Sequence, residues 1–195
     1  MKREEGFENY NPWTGRFMAA AIIQGAVITG LTIFLVLGQV SVIKPEVSRV
    51  IAAGGAGNWF TFGYMMYISI GVVGVAVSSL FYHYLGKGKY IFGRATNVLA
   101  WTHLAMINTG ITATAAMMML AGYQGGASML PPTSGGQGFD AGQAHEIMGP
   151  YVEPIAVSIL VLTVGIIAGG IGFLIDYRRR NQLIRSSGTG NNEAS

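Results

Sequence analysis

Four stretches of the chain contain no Asp, Glu, Lys or Arg: residues 17–43, 50–86, 95–139 and 154–175. Each is longer than the roughly 20 residues a helix needs to cross a hydrocarbon core about 30 Å thick. Charged residues make up only 11% of the sequence, against about 25% in an average soluble domain. The expected fold is therefore an all-α membrane protein, a bundle of four transmembrane helices at about 17–40, 59–85, 95–122 and 151–177. These form one transmembrane domain, 17–177, between an N-terminal segment, 1–16, and a tail, 178–195, that is first basic and then small, polar and disordered. The first span is too long for a signal-peptide core, and its leader carries Glu4, Glu5 and Glu8, so it is read as a retained helix. The absence of cysteine excludes a disulfide framework, thiolate metal sites and cysteine catalysis. Nothing in the charge pattern suits nucleic acid.

Basic residues set the expected orientation. With the N-terminus inside, Lys2, Arg3, Arg16, Lys87, Lys89, Arg94, Arg178, Arg179, Arg180 and Arg185 face the cytoplasm, and only Lys44 and Arg49 face out. That asymmetry is the positive-inside pattern. Both termini are expected to be cytoplasmic, the loops 41–58 and 123–150 outside, and the protein multi-pass in the plasma membrane. Trp13 and Phe17 are expected to mark the inner edge, and Trp59, Tyr123 and Tyr151 the outer one, since these rings favour the headgroup level.

Polar residues within a span are functional candidates because lipid makes them costly. Thr96, His103 and Gly110 recur every seven residues and share a face with Thr114. His103 suits a haem iron, a copper ion or a proton relay. A bis-histidine haem would need a second imidazole at equal depth, and His83 lies about 10 Å away by helical rise. A histidine hydrogen-bonded to a neighbouring helix is therefore the preferred reading. Asn97, Trp101, Asn108 and Thr112 form a second stripe, read as structural and as facing another subunit, with Asn108 a candidate for partner contact or proton transfer. Small residues four apart (Ala21/Gly25, Ala26/Gly30, Gly74/Ser78, Gly165/Gly169) permit close helix packing. Met117, Met118 and Met119 point three ways and read as adaptable packing.

The second outer loop gathers Asp140, His145 and Glu146, near Met129 and Met148. Imidazole, carboxylate and thioether are ligands for copper or another divalent ion, although the spacing matches no specific motif. The alternative is an acidic loop docking on a neighbour. Glu153, expected in the first turn of the fourth helix beside Pro154, is a candidate for pairing with a partner, for snorkelling or for a proton path.

The sequence carries no phosphate loop, nucleophile elbow, metalloprotease helix or paired mid-membrane carboxylates. Within residues 57–126, Trp59-Phe60-Thr61-Phe62 opens a Gly-rich helix that closes on Phe81-Tyr82-His83-Tyr84, and Trp101-Thr102-His103-Leu104 opens the next. This third of the chain resembles the late helices of the catalytic subunit of haem–copper oxidases. In that family a His-x-His haem-ligand pair stands near the start of the first of these helices. Here that stretch has no histidine, so no haem-ligand role carries over. His103 most resembles the family's next-helix histidine, which is not a haem ligand either.

The resemblance implies a companion of the oxidase catalytic subunit without its active site. The expected function is a non-catalytic integral membrane subunit of a respiratory redox complex, a haem–copper terminal oxidase first. It would be inactive alone, surrounded by lipid and other membrane subunits, with haem or copper in the assembled complex. The alternatives are an accessory subunit of a membrane copper monooxygenase of the ammonia or methane type, and a small haem-binding, quinol-interacting cytochrome using His103.

Overall fold

The computed structural model describes residues 11–86 and 93–189, with side chains as far as Gln182. Five α-helical segments follow in order: α1 (Pro12–Ser41), the short α2 (Val47–Ala52), α3 (Gly55–Leu85), α4 (Arg94–Met129) and α5 (Ala141–Thr189). No strand occurs among the described residues. The helices α1, α3, α4 and α5 are each long and apolar enough to cross a membrane.

Helix ends follow local chemistry. At the start of α1, Asn11 Oδ1 accepts from the Trp13 amide (3.1 Å), and Pro12 occupies the first helical turn. That cap moves the start five residues ahead of the expected 17, because Pro at this position loses only an amide with no helical partner. The expected end of the third span at 122 is also corrected. Gly122, Gly125 and Gly126 remain helical because other chain segments press against them: a Cβ on Gly122 would lie 2.2 Å from the Phe60 amide nitrogen. The fourth helix begins at Ala141 rather than 151, and Pro150 and Pro154 lie inside it. The long loop expected at 123–150 thus shrinks to residues 130–140. At the other end α5 runs on to Thr189, well past the expected limit of 177 and through the first part of the supposedly disordered tail. Residues 1–10, 87–92 and 190–195, with Lys2, Arg3, Lys87 and Lys89, lie outside the described set.

Within α3 the hydrogen-bonding pattern changes. A 3₁₀ turn (Gly55–Gly57) leads into an α segment (Asn58–Met66), then a π segment (Tyr67–Gly74), then a final α segment (Val75–Leu85). The first α segment packs on α4, and the last on α1 and α5.

Neighbouring helices run antiparallel. Trp13, Tyr82, Asn97 and Phe173 meet at one end; Phe60, Gly122, Gly125 and Met148 meet at the other. The first is here called the arginine end, since Arg16, Arg94, Arg179 and Arg180 gather there: Arg16 lies over Trp13 and Trp101 (4.6 and 4.7 Å), and Arg180 Nη1 donates to the Tyr84 carbonyl (2.6 Å). At the loop end, Lys44 and Arg49 both pair with Glu46. The Lys44 hydrogen bond holds the Glu46 carboxyl below the usual carboxylate range.

The most extensive helix contact is α4 on α5. Its seam is glycine: a Cβ on Gly110 would lie 2.6 Å from the Leu162 nitrogen, and one on Gly165 2.8 Å from the Ile107 nitrogen. Lipid tails satisfy apolar side chains as well as protein does, so association depends on such close van der Waals approach. The pair Gly165/Gly169 therefore serves packing within the chain. Ala26 and Gly30 face outward, with nothing within 4 Å of a Cβ on Gly30. Met118 and Met119 pack around Gly63.

Candidate functional site

Three groups of residues carry what chemistry the fold holds. At the arginine end, His103 is only 3% exposed. All four long helices enclose it: Phe17 of α1 (ring centroids 4.9 Å), Tyr82 of α3 (6.2 Å) and Phe173 of α5 (5.7 Å). Its Nδ1 stands 3.5 Å from the Tyr82 hydroxyl, and its ring lies against Gly169, where a Cβ would come within 2.4 Å of Nδ1. The shared face expected from the seven-residue spacing is buried throughout: Thr96, His103, Gly110 and Thr114 are all interior. With rings and a glycine backbone closed around the imidazole, the geometry favours a core histidine over a haem ligand. His83 is exposed and takes no part.

Asp176 belongs to the same end and was not singled out from sequence. It is 1% exposed and within electrostatic reach of Tyr82. A helical pattern in the sequence points to it. Ser158, Leu162, Gly165, Gly169, Gly172 and Asp176 succeed one another at intervals of three and four and all are buried, so the inward face of α5 continues to this carboxylate.

Trp13 and Phe17, expected as inner-edge residues, stand toward the arginine end with their rings buried, 1% and 0% exposed. Trp13 satisfies its indole by donating to Asn97 Oδ1 (3.0 Å) and packs edge-on to Trp101.

Midway along the bundle lies a second group. Gln24 of α1 is buried and donates through Nε2 to Asn108 Oδ1 (2.9 Å) and to Thr112 Oγ1 (3.3 Å) of α4. The Tyr67 hydroxyl, at the start of the π segment, donates to Gln24 Oε1. Asn108 in turn donates to the Leu104 carbonyl (2.7 Å). The candidate Asn108 is thus engaged within the chain. Gln24 and Tyr67 were not singled out from sequence, though an amide deep in an apolar span was the available signal.

The third group sits at the loop end. Asp140 and Gln143 cap α5 reciprocally: Asp140 Oδ1 accepts from the Gln143 amide (2.9 Å), and Gln143 Oε1 accepts from the Asp140 amide (3.1 Å). This is a capping box. The Asp140→Ala variant is expected to lose about 1 kcal/mol and to speed hydrogen exchange in the first turn of α5, which NMR or mass spectrometry can read. Asp140, His145 and Glu146 are all exposed, and among the described residues no three His, Asp or Glu side chains converge as metal ligands. His145 instead lines a cavity of about 290 Å³ with Trp59, Met129, Met148 and Tyr151, whereas Asp140 and Glu146 do not. Glu153 is exposed and falls in the fourth turn of α5, not the first, because the capping box starts the helix earlier.

No family model, no curated protein and no solved structure matches the chain. Function has to be argued from this geometry.

Proposed function

We propose that the chain is a non-catalytic integral membrane subunit of a respiratory redox complex, with a haem–copper terminal oxidase the favoured assembly. One observation carries the subunit reading. Asn97, Trp101 and Thr112 are exposed, and Asn108 is half-buried, along a single face of α4. Asn97, Asn108 and Thr112 each accept a bond within the chain, yet polar surface stays exposed along this face; lipid offers it no hydrogen bond, and a neighbouring membrane protein would. The sparse chemistry agrees. His103 is sealed in aromatic packing, the mid-bundle amides bond one another, and Asp140 caps a helix.

The respiratory assignment rests on the likeness of residues 57–126 to oxidase helices. The monooxygenase alternative draws less support, since the acids it would use do not line the cavity with His145. The arginine end is assigned to the cytoplasm and the loop end to the outside of the plasma membrane. Arg16, Arg94, Arg178, Arg179 and Arg180 belong to the former, while Lys44 and Arg49 at the latter share Glu46. That difference follows the positive-inside rule.

Purification from native membranes in mild detergent tests the proposal. The expected result is co-purification with haem-bearing membrane subunits. An Ala105→Trp variant, bulky at an exposed position beside the stripe and outside the Gln24 network, is expected to fold yet lose most of that association. A wild-type chain recovered free of partners would overturn the reading.

A further inference from the structure

The cavity at the loop end has no role in the subunit reading. Small side chains, Ala121 of α4 and Ala144 of α5 among them, leave room for it in its wall. Its volume of about 290 Å³ is at the lower end for small-molecule sites, which run from roughly 300 Å³ upward. Two aromatic rings, Trp59 and Tyr151, stand in its wall, with the thioether of Met148. One imidazole, His145, completes it.

These features select a class of ligand. A metal ion needs donors at about 2.0–2.3 Å, and a space this large is several times such a coordination shell. An acyl chain would make no use of the imidazole. A flat ring fits between aromatic and thioether walls, where stacking and sulfur contacts are favourable, and a ring oxygen can accept from or donate to His145. Trp59 and Tyr151 belong to the residue types that favour the membrane–water boundary, so a lipid-soluble molecule can enter sideways with its polar head at the right depth.

We propose that the cavity formed by Trp59, Ala144, His145, Met148 and Tyr151 binds the head of a quinone-type compound: a planar ring bearing carbonyl or hydroxyl oxygens, hydrogen-bonded to His145. The site requires no partner subunit and stands apart from the complex assignment. A chain that co-purifies with nothing still binds the quinone, and a chain within a complex is not thereby shown to bind it.

The test uses the full chain in lipid nanodiscs titrated with decylubiquinone, reading tryptophan fluorescence. Free quinone in the bilayer quenches linearly, whereas a bound ring next to Trp59 adds a saturable component. That component is expected in wild type and absent in Trp59→Phe. Ala144→Leu, which fills the cavity, is expected to weaken apparent affinity at least tenfold. His145→Ala, at an exposed position where the fold is undisturbed, is expected to weaken it about tenfold, the loss of one hydrogen bond. Purely linear quenching in wild type, or saturation unchanged in His145→Ala, would refute the site.

Discussion

Replacing Gly169 with alanine is expected to destabilise the protein by about 2 kcal/mol or more, while the same change at Gly170, one residue on, is neutral or mildly stabilising. The two glycines share composition, helix and depth. They differ in what stands opposite. A methyl at 169 would meet three atoms of the His103 ring between 2.4 and 2.7 Å, whereas at 170 nothing lies within 4 Å. The His103 ring cannot retreat, since Phe17, Tyr82 and Phe173 hold it on other sides. The added carbon must therefore part α4 from α5, and overpacking of this kind typically costs about 1–3 kcal/mol. At 170 alanine merely removes the conformational freedom of glycine, a gain of up to about 1 kcal/mol. Reversible unfolding in mixed micelles, followed by circular dichroism, gives both values. Equal effects at the two positions would mean that α5 is rotated about its axis relative to this description.

The second large effect is expected at Gln24. Its side chain joins α1 to Asn108 and Thr112 of α4 and accepts from Tyr67 of α3. Direct packing of α1 on α4 is slight compared with that of α5 on α4, so these bonds, together with the Trp13–Asn97 hydrogen bond and the ring contacts of Trp13 and Phe17, tie α1 to α4. Leucine at 24 keeps the volume and removes every bond at once. The buried Tyr67 hydroxyl loses Gln24 and keeps Thr112 as its polar neighbour. Interhelical hydrogen bonds in membranes contribute roughly 0.6 kcal/mol each and at most about 1.7, and Gln24 makes three. A total near 2 kcal/mol is expected for Gln24→Leu. A double-mutant cycle with Asn108→Leu is expected to return a coupling close to 1 kcal/mol. Additive losses would show that the two amides do not bond.

Much of the architecture could be read before any coordinates, because the signal was strong and single-valued. Stretches without charge marked the four helices long and apolar enough to cross a membrane, and a seven-residue spacing located the inward face of α4 through Thr96, His103, Gly110 and Thr114. Where the reading failed, one residue type had two physical uses. Glycine suits a turn, but it also admits a neighbouring backbone; Gly122, Gly125 and Gly126 do the second, and the helix end was set too early. Proline stops helices in general, yet Pro150 and Pro154 lie within α5, whose start is fixed instead by Asp140 and Gln143. Asp176 was passed over although it lies inside the expected span 151–177, because the uncharged stretch ends at 175. Its place on the three-and-four pattern of buried α5 residues was the better guide. Gln24 and Tyr67 escaped notice because a polar side chain in a span has no partner until two helices are set side by side.

The π segment from Tyr67 to Gly74 works as a gear change in α3. Wider turns bring in extra chain and shift the angular phase of everything that follows, about 100° for each added residue. One continuous rod can then engage α4 with its first half and mesh with α1 and α5 in its second. Were those turns wound as ordinary α-helix, Tyr82 would swing away from Phe17 and His103, and the aromatic enclosure at the arginine end would lose its keystone.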